Sequence, residues 1–247
     1  AEAALRESEE RYRNLYENAP IGIISTDSTG KVLAVNSTMA QMLDLATPDE
    51  AVAHFTNLGE QLYTQPHRRI EFLDRLQQHG YVKDFEYEAR TADGRIIWLS
   101  MNARLVRNST TGEFVIEGFT TEITKRRRAE AERERLMAAI EQAGEAIVIT
   151  DAEATIQYVN PAFERITGYT REEAIGKNPL ILLSSEYDDD IEQKIDDTLS
   201  RGESWSGRLL HKKKDGTLYN EEVVISPVID AFGRISNHVG ALRDITE

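Results

Sequence analysis

Residues 147–160 read IVITDAEATIQYVN, and residues 23–36 read IISTDSTGKVLAVN. The two segments lie 124 positions apart and are identical at five positions, which include Asp27 with Asp151 and Asn36 with Asn160. In each segment an apolar, β-branched run is followed by a short polar turn and a second apolar run. This pattern predicts a β-hairpin in each half of the chain.

The correspondence continues through all 247 residues with small changes of offset. Asp93-Gly94 corresponds to Asp215-Gly216, and the triplet Glu122-Ile123-Thr124 corresponds to Asp244-Ile245-Thr246. Self-similarity on this scale indicates two copies of one fold. We therefore expect an N-terminal helix, a first domain, a linker helix and a second domain. Their predicted ranges are 1–18, 19–124, 125–142 and 143–247.

After the hairpin, each repeat carries signals for short helices. Asn36 and Asn160 are suitable N-caps, and Thr47 and Thr170 each stand three residues before a glutamate, as in a capping box. Three further strands follow in each repeat, joined by turns that contain glycine, such as Thr111-Gly112. The predicted strands cover residues 83–91, 95–105 and 113–121, then 206–213, 217–228 and 234–243. The predicted fold class is α+β, with a five-stranded antiparallel sheet and helices on one face in each repeat.

Composition excludes several functions. The chain has no cysteine, which removes thiolate metal sites, cysteine nucleophiles and photochemistry that ends in a cysteinyl adduct. Its net charge of -14 disfavours contact with nucleic acid or anionic membranes. No run of about 20 apolar residues is present, as a membrane span would need, and no nucleotide-binding, hydrolase or metalloprotease signature occurs. We expect a non-catalytic protein.

Several motifs carry a family resemblance. The second repeat contains YVNPAF at 158–163, ITGYT at 166–170 and RDIT at 243–246, and the first contains NAP at 18–20 and DGRIIW at 93–98. In order and spacing, both repeats resemble PAS domains with their C-terminal PAC segments. The resemblance implies a dimeric, cytoplasmic sensory and relay module of a bacterial or archaeal signalling protein. A histidine kinase or a cyclic-dinucleotide enzyme is the expected C-terminal effector.

The second repeat further resembles the flavin-binding redox-sensor branch of this family, through GKN at 176–178, WSG at 205–207 and ISP at 225–227. An isoalloxazine ring needs an apolar slot with a few polar partners. The residues that the resemblance assigns to such a slot are Asn160, Phe163, Asn178, Trp205 and Glu222. Many PAS domains with this consensus are empty, so the ligand stays open between a flavin and none.

Haem and metal ions are not expected. His211 and His238 fall in predicted strands, outside the helical region where haem-binding PAS domains carry their ligand, and His67 stands in an exposed context beside two arginines. The remaining histidines are His54 and His79, and no two of the five have metal-ligand spacing on one helix face. The sequence therefore predicts ordinary surface or core histidines.

The helices that precede the two repeats carry a weak heptad pattern of apolar positions. The positions are Leu5, Ser8, Tyr12, Leu15 and Ala19, then Ala129, Glu132, Leu136, Ala139 and Ala143. The pattern predicts a homodimer with helices 1–18 and 125–143 at or near the interface, and it is also compatible with packing of each helix on its own sheet.

The acidic triplets end the last strand of each repeat, so we expect the signal to leave through Glu122, Thr124, Asp244 and Thr246. Thr124 is predicted to N-cap the linker helix, and each acid to pair with a base in the following helix or in its own domain. Two functions stay open: a sensor that relays a ligand or redox signal to an effector, and a ligand-free scaffold for dimerisation and protein docking.

Overall fold

The computed structural model describes residues 2–107, 112–179 and 189–246. The chain divides into two compact units, Ala1–Ala131 and Glu132–Glu247. Within the described residues, no helix has the length and apolar composition that a membrane crossing requires. Of the predicted turn Thr111-Gly112, Thr111 lies outside the described residues.

The first unit begins with a helix that has no buried residue and continues into a five-stranded sheet with short helices. Its elements are α1 Glu2–Glu17, β1 Gly22–Thr26, β2 Val32–Val35, α2 Ser37–Met42, α3 Pro48–His54, α4 Leu58–Gln61, α5 Pro66–His79, β3 Tyr81–Arg90, β4 Ile96–Arg107 and β5 Phe114–Glu122. The strand order across the sheet is β2-β1-β5-β4-β3, and every pair is antiparallel.

The second unit repeats this arrangement after the helix α6, which runs from Thr124 to Glu141. Its elements are β6 Ala146–Asp151, β7 Ile156–Val159, α7 Pro161–Thr167, α8 Arg171–Ala174, α9 Asp189–Ser200, β8 Trp205–Lys212, β9 Leu218–Ile229 and β10 Ile235–Asp244. The order β7-β6-β10-β9-β8 is the counterpart of that in the first unit, again antiparallel throughout. The predicted α+β class and the duplication of one fold are confirmed.

An asparagine joins three elements at the same place in both units. The Asn160 Oδ1 atom accepts hydrogen bonds from the N–H groups of Ile147, 2.9 Å away, and Phe163, 3.1 Å away. Its Nδ2 atom donates to the carbonyl oxygens of Ile140 and Glu145. Asn36 makes the matching four bonds in the first unit. The predicted N-caps are confirmed, and each also ties the incoming helix to the sheet.

The capping boxes differ between the units. In the second unit the Thr170 hydroxyl accepts from the Glu173 N–H, and the Glu173 carboxylate accepts from the Thr170 N–H, as predicted. In the first unit Thr47 caps the N–H of Glu50, but the Glu50 carboxylate accepts from the N–H of Ala46 instead. The helix α3 begins at the predicted place in spite of this shift of one residue.

Candidate ligand cavity and C-terminal exit

A cavity of about 500 Å³ lies in the second unit. Its apolar wall comes from four strands of the sheet and from α9. These residues are Val148, Ile195, Leu199, Leu209, Val223, Ile225, Ile235 and Leu242. The volume falls within the range of about 300–1,000 Å³ that is usual for small-molecule sites.

One residue of the cavity wall, on β8, is smaller than its counterpart on β3. Tyr87 pairs with Leu99 in the first sheet, and Leu209 pairs with Glu221 in the second, so Tyr87 corresponds to Leu209 at an offset of 122 positions. By the same offset Phe85 corresponds to Gly207. Gly207 is covered by the Trp205 indole, whereas Leu209 lines the cavity without the ring that Tyr87 has.

Aromatic rings fill the corresponding space in the first unit. Tyr63 and Tyr87 stack with ring centroids 4.4 Å apart, and Phe72 and Phe85 lie 5.4 Å apart. Phe72, Phe85 and Tyr87 are each 1% exposed. Close packing of this kind excludes a ligand from the position that the cavity takes in the second unit.

A buried polar group forms one end of the cavity. His211 lines it and contacts the Glu221 carboxylate through Nδ1, and both side chains are buried. The Tyr219 hydroxyl donates to Glu221 Oε1 over 3.4 Å, and the Tyr219 ring meets the His211 ring edge-on at 5.9 Å. Burial, and then the charge of Glu221, raise the pKa of Tyr219, which keeps the phenol protonated as a donor.

A second imidazole lies at the other end. His238 lines the cavity, and its Nδ1 atom is 3.3 Å from the carbonyl oxygen of Asp151. The exposed residues Glu153, Glu192 and Asp196 also line it. Among the described lining residues there is no lysine or arginine, so the surroundings of the cavity carry negative charge.

The five residues assigned to a flavin do not converge on this cavity. Asn178 lines it. The Asn160 amide is fully used by main-chain groups, Phe163 lies in the core, and Trp205 packs against that core without lining the cavity. Glu222 pairs with Arg243. Flavin contacts through these residues stay a prediction, and the placement of four of them does not fit a ring held in this cavity.

Sequence reasoning missed the buried pair that His211, a lining residue, forms with Glu221. It took His211 for an ordinary histidine and assigned Glu222 but not Glu221. On β9 the buried positions alternate through Tyr219, Glu221 and Val223. Period-two alternation from Tyr219 would have identified Glu221 as the inward carboxylate.

The end of the last strand is bound to β9 in the second unit. Asp244 accepts from the N–H of Thr246 at 2.9 Å and lies 3.4 Å from Lys213 Nζ. Partial burial alone would raise the pKa of Asp244, but the bonds from Thr246 and the charge of Lys213 outweigh it and hold the pKa below its usual value. The Thr246 hydroxyl accepts from the N–H of Asn220. The base predicted to pair with Asp244 within its own domain is thus Lys213, which directly follows β8.

The first unit uses different residues at the same place. The Thr124 hydroxyl accepts from the N–H of Trp98, the counterpart of the Thr246 bond to Asn220. The predicted N-cap role of Thr124 is therefore wrong, because its hydroxyl accepts a hydrogen bond from β4 and Thr124 is the first residue of the helix α6. Arg126 and Arg127 of α6 pair with Glu86 on β3, whereas Glu122 is exposed. The acid that holds the helix is Glu86.

The incoming helix α6 is held at its C-terminal end by Glu141. This carboxylate accepts from the Tyr158 hydroxyl at 2.6 Å and from Arg171 Nη2 at 3.0 Å. These two bonds lower the pKa of Glu141, the bond from Tyr158 more than that from Arg171. In the second unit, charged side chains thus bind both the helix α6 that precedes the sheet and the segment that follows its last strand.

Comparison with known proteins identifies the family to which the two folded units belong. A model of the PAS fold matches residues 10–116, and a PAS domain model matches residues 144–247. The chain therefore carries two PAS domains in tandem. Its role is sensory signalling, as in the regulators that contain such domains.

Parts of the chain are similar to curated relatives and to a solved structure. The chain is similar to a nitrogen fixation regulatory protein of Klebsiella oxytoca, with 39% identity over 107 residues, 43% of this chain and 22% of that protein. It is also similar to phototropin-1A of Oryza sativa subsp. japonica, with 32% identity over 117 residues, 46% of this chain and 13% of that protein. The crystal structure of a PAS domain from Colwellia psychrerythraea shares 27% identity, with 46% of this chain and 96% of that chain covered and a TM-score of 0.41. The chain thus spans less than a quarter of either relative.

Proposed function

We propose that the second PAS domain is a ligand sensor and that the first is a ligand-free relay domain, both within a larger regulatory protein. The observation that carries this proposal is the cavity of about 500 Å³, which the second domain has at a place that aromatic rings fill in the first. A bound small molecule or a change in its redox state is the proposed input.

A continuous set of contacts supports an output through the end of the second domain. His211 lines the cavity and contacts Glu221, which Tyr219 reaches through its hydroxyl. Lys213 Nζ lies 4.9 Å from the centre of the Tyr219 ring and 3.4 Å from Asp244 Oδ2. A ligand that moves His211 would therefore disturb the group that holds Asp244 and Thr246. Coupling through packed contacts of this kind requires two arrangements of the strand end.

The first domain is suited to a structural and docking role. Its core is filled, and its helix α1 exposes Leu5, Tyr12 and Leu15 at heptad spacing, with exposures of 61%, 71% and 69%. We propose that a second copy of the chain covers these side chains in a homodimer. For this domain the ligand-free scaffold is the function that its packing favours.

The effector is proposed from the relatives. Two of them are named as a nitrogen fixation regulatory protein and a bacterioopsin transcriptional activator. A regulatory output such as a histidine kinase, in a cytoplasmic parent protein, is consistent with these names. The effector, the dimer and the location are parts of the proposal.

Mass spectrometry of the purified chain tests the sensor role. We expect a small molecule to be released on denaturation, or to be retained when the chain is refolded with an extract of the host's metabolites. Its binding should slow amide hydrogen exchange in β8, β9 and the segment 242–246. Binding that protects only the first domain would contradict the proposal.

A further inference from the structure

We infer that the first domain binds a small monovalent anion, of the size of chloride, through the Arg69 guanidinium and the hydroxyl groups of Tyr63 and Tyr87. This inference goes beyond the proposed function. The ion completes the core of the first domain, as a structural metal ion does in other proteins. It is distinct from the ligand that the second domain is proposed to sense.

The site begins with a buried arginine. Arg69 lies on α5 and is 7% exposed. Its Nη2 atom is buried and has no hydrogen-bond partner within the described residues. The guanidinium carbon lies 5.6 Å from the ring centre of Tyr63 and 5.3 Å from that of Phe72. Ring faces attract a cation but carry no net charge, so they do not neutralise Arg69.

The carboxylates of this region do not neutralise Arg69 either. Glu71, the nearest acid along the chain, pairs with Arg68 and Arg75 instead. No carboxylate in the described part of the chain forms an ion pair with Arg69. A buried charge is strongly destabilising unless an opposite charge and hydrogen bonds compensate it. The first domain therefore requires a negative charge that its described side chains do not supply.

Two tyrosine hydroxyl groups lie beside the guanidinium. Tyr63 and Tyr87 are 5% and 1% exposed, and their rings stack with centres 4.4 Å apart. Both hydroxyl oxygens are buried without a hydrogen-bond partner among the described residues. Burial raises the pKa of both phenols, and the charge of Arg69 lowers each pKa by less. The phenols therefore stay protonated and neutral, so neither balances the charge of Arg69.

The three groups form one cluster of donors. The charge of Arg69 acts on both phenols, and the two hydroxyl groups also act on each other. An anion accepts from N–H and O–H groups together and supplies the opposite charge, whereas a water molecule supplies only an acceptor. One cation with two neutral donors matches a charge of minus one. The rings of Phe72 and Tyr87, each 1% exposed, close the cluster, so the ion is small.

Urea unfolding of the full chain, with chloride exchanged for gluconate at constant ionic strength, tests the site. Gluconate carries the same charge but is too large for the closed cluster. Hydrogen exchange mass spectrometry at each urea concentration reports the two domains separately. We expect the unfolding midpoint of the first domain to rise by about 1 M urea at ten times the dissociation constant of chloride. The midpoint of the second domain, which has Leu209 in place of Tyr87, should not change.

Three variants separate the anion site from a general effect of charge. Arg69→Met should abolish the chloride dependence and be at least as stable as the wild type in gluconate, because no buried charge is then left unpaired. Tyr87→Phe removes one donor and should weaken chloride binding about tenfold. Arg75→Gln is the matched control, because Arg75 lies on the same helix with a side chain that is 51% exposed. It loses the same charge and should keep the full chloride dependence.

Diffraction from crystals of the full chain grown in bromide locates the ion without any variant. We expect an anomalous peak within hydrogen-bond distance of Arg69 Nη2 and of the Tyr63 and Tyr87 hydroxyl groups. No peak at this cluster, a first-domain midpoint that is independent of chloride, or full chloride dependence in Arg69→Met would overturn the inference. These results do not depend on the ligand of the second domain.

Discussion

The two PAS domains have the same strand order but differ where the edge strand, β3 or β8, pairs with its neighbour. In the first domain Ala89, Ile97 and Leu99 are completely buried. At the register-equivalent positions the second domain has His211, Tyr219 and Glu221. The comparison teaches that the fold tolerates an apolar set or a hydrogen-bonded polar set at the same place. Only the polar set lies beside a cavity, so the second domain can exchange contacts with a ligand.

We expect the two domains to differ most in the free energy of unfolding lost when Tyr87 or its counterpart Leu209 is shortened to alanine. Tyr87→Ala removes a closely packed ring, and we expect it to lower the free energy of unfolding of the first domain by about 3 to 5 kcal/mol. Leu209→Ala, the counterpart, borders existing space and should cost less in the second domain, about 2 kcal/mol. Denaturant unfolding followed by hydrogen exchange in each domain separates the two values. Equal losses would mean that the second core is packed as closely as the first.

A second comparison replaces the polar set of the second domain by the apolar residues of the first domain. His211→Leu alone leaves Glu221 buried without its partner, and we expect a loss of about 3 kcal/mol. His211→Ala/Glu221→Leu copies Ala89 and Leu99 and should restore most of that loss, since both partners are then apolar. Urea denaturation of the single and double variants measures this. A double variant as unstable as the single one would contradict the view that the pair is retained for ligand contact.

The two asparagines should behave alike, because the domains differ at the edge-strand pair and not at the helix junctions. Asn36→Ala and Asn160→Ala each remove an N-cap and leave main-chain groups of the incoming helix and first strand unpaired. We expect each to cost about 2 to 3 kcal/mol in its own domain. Calorimetry of both variants checks the symmetry. A large effect in one domain only would show that the helix junctions are not equivalent.

The smallest expected effect concerns the strand ends and depends on pH. Because the pKa of Asp244 is lowered in the folded state, its stabilisation is present above the unfolded value of about 3.9 and is lost as the pH falls through the folded value. Asp244 and Lys213 are partly exposed, so we expect about 1 kcal/mol or less. Lys213→Gln should flatten the acid limb of the stability profile. Glu122→Gln, at the exposed counterpart, should leave it unchanged.

The sequence was sufficient for the architecture because repetition and backbone chemistry leave local signals. The shared Asp and Asn positions predicted the hairpin and the N-caps, and turns with glycine predicted the strand breaks. These features depend on residues close together in the chain. For that reason they can be read without knowing the tertiary packing.

The site depended on contacts that sequence spacing does not reveal. Glu86 reaches Arg126 and Arg127 across 40 and 41 positions, and Asp244 reaches Lys213 across 31. The cavity depends on side-chain volume, since Leu209 lines it where Tyr87 fills the first core. Neither a motif nor a heptad carries that information, which requires the two sheets to be aligned by register.

Methyl NMR of the full chain during titration with prodan, an uncharged naphthalene ketone, tests the central claim, that the second domain binds a ligand and the first does not. We predict that the methyl signals of Val148, Leu209 and Val223 shift and saturate together, while those of Ile97 and Leu99 stay in place. Shifts of equal size in Ile97 and Leu99, or shifts confined to them, would contradict the account.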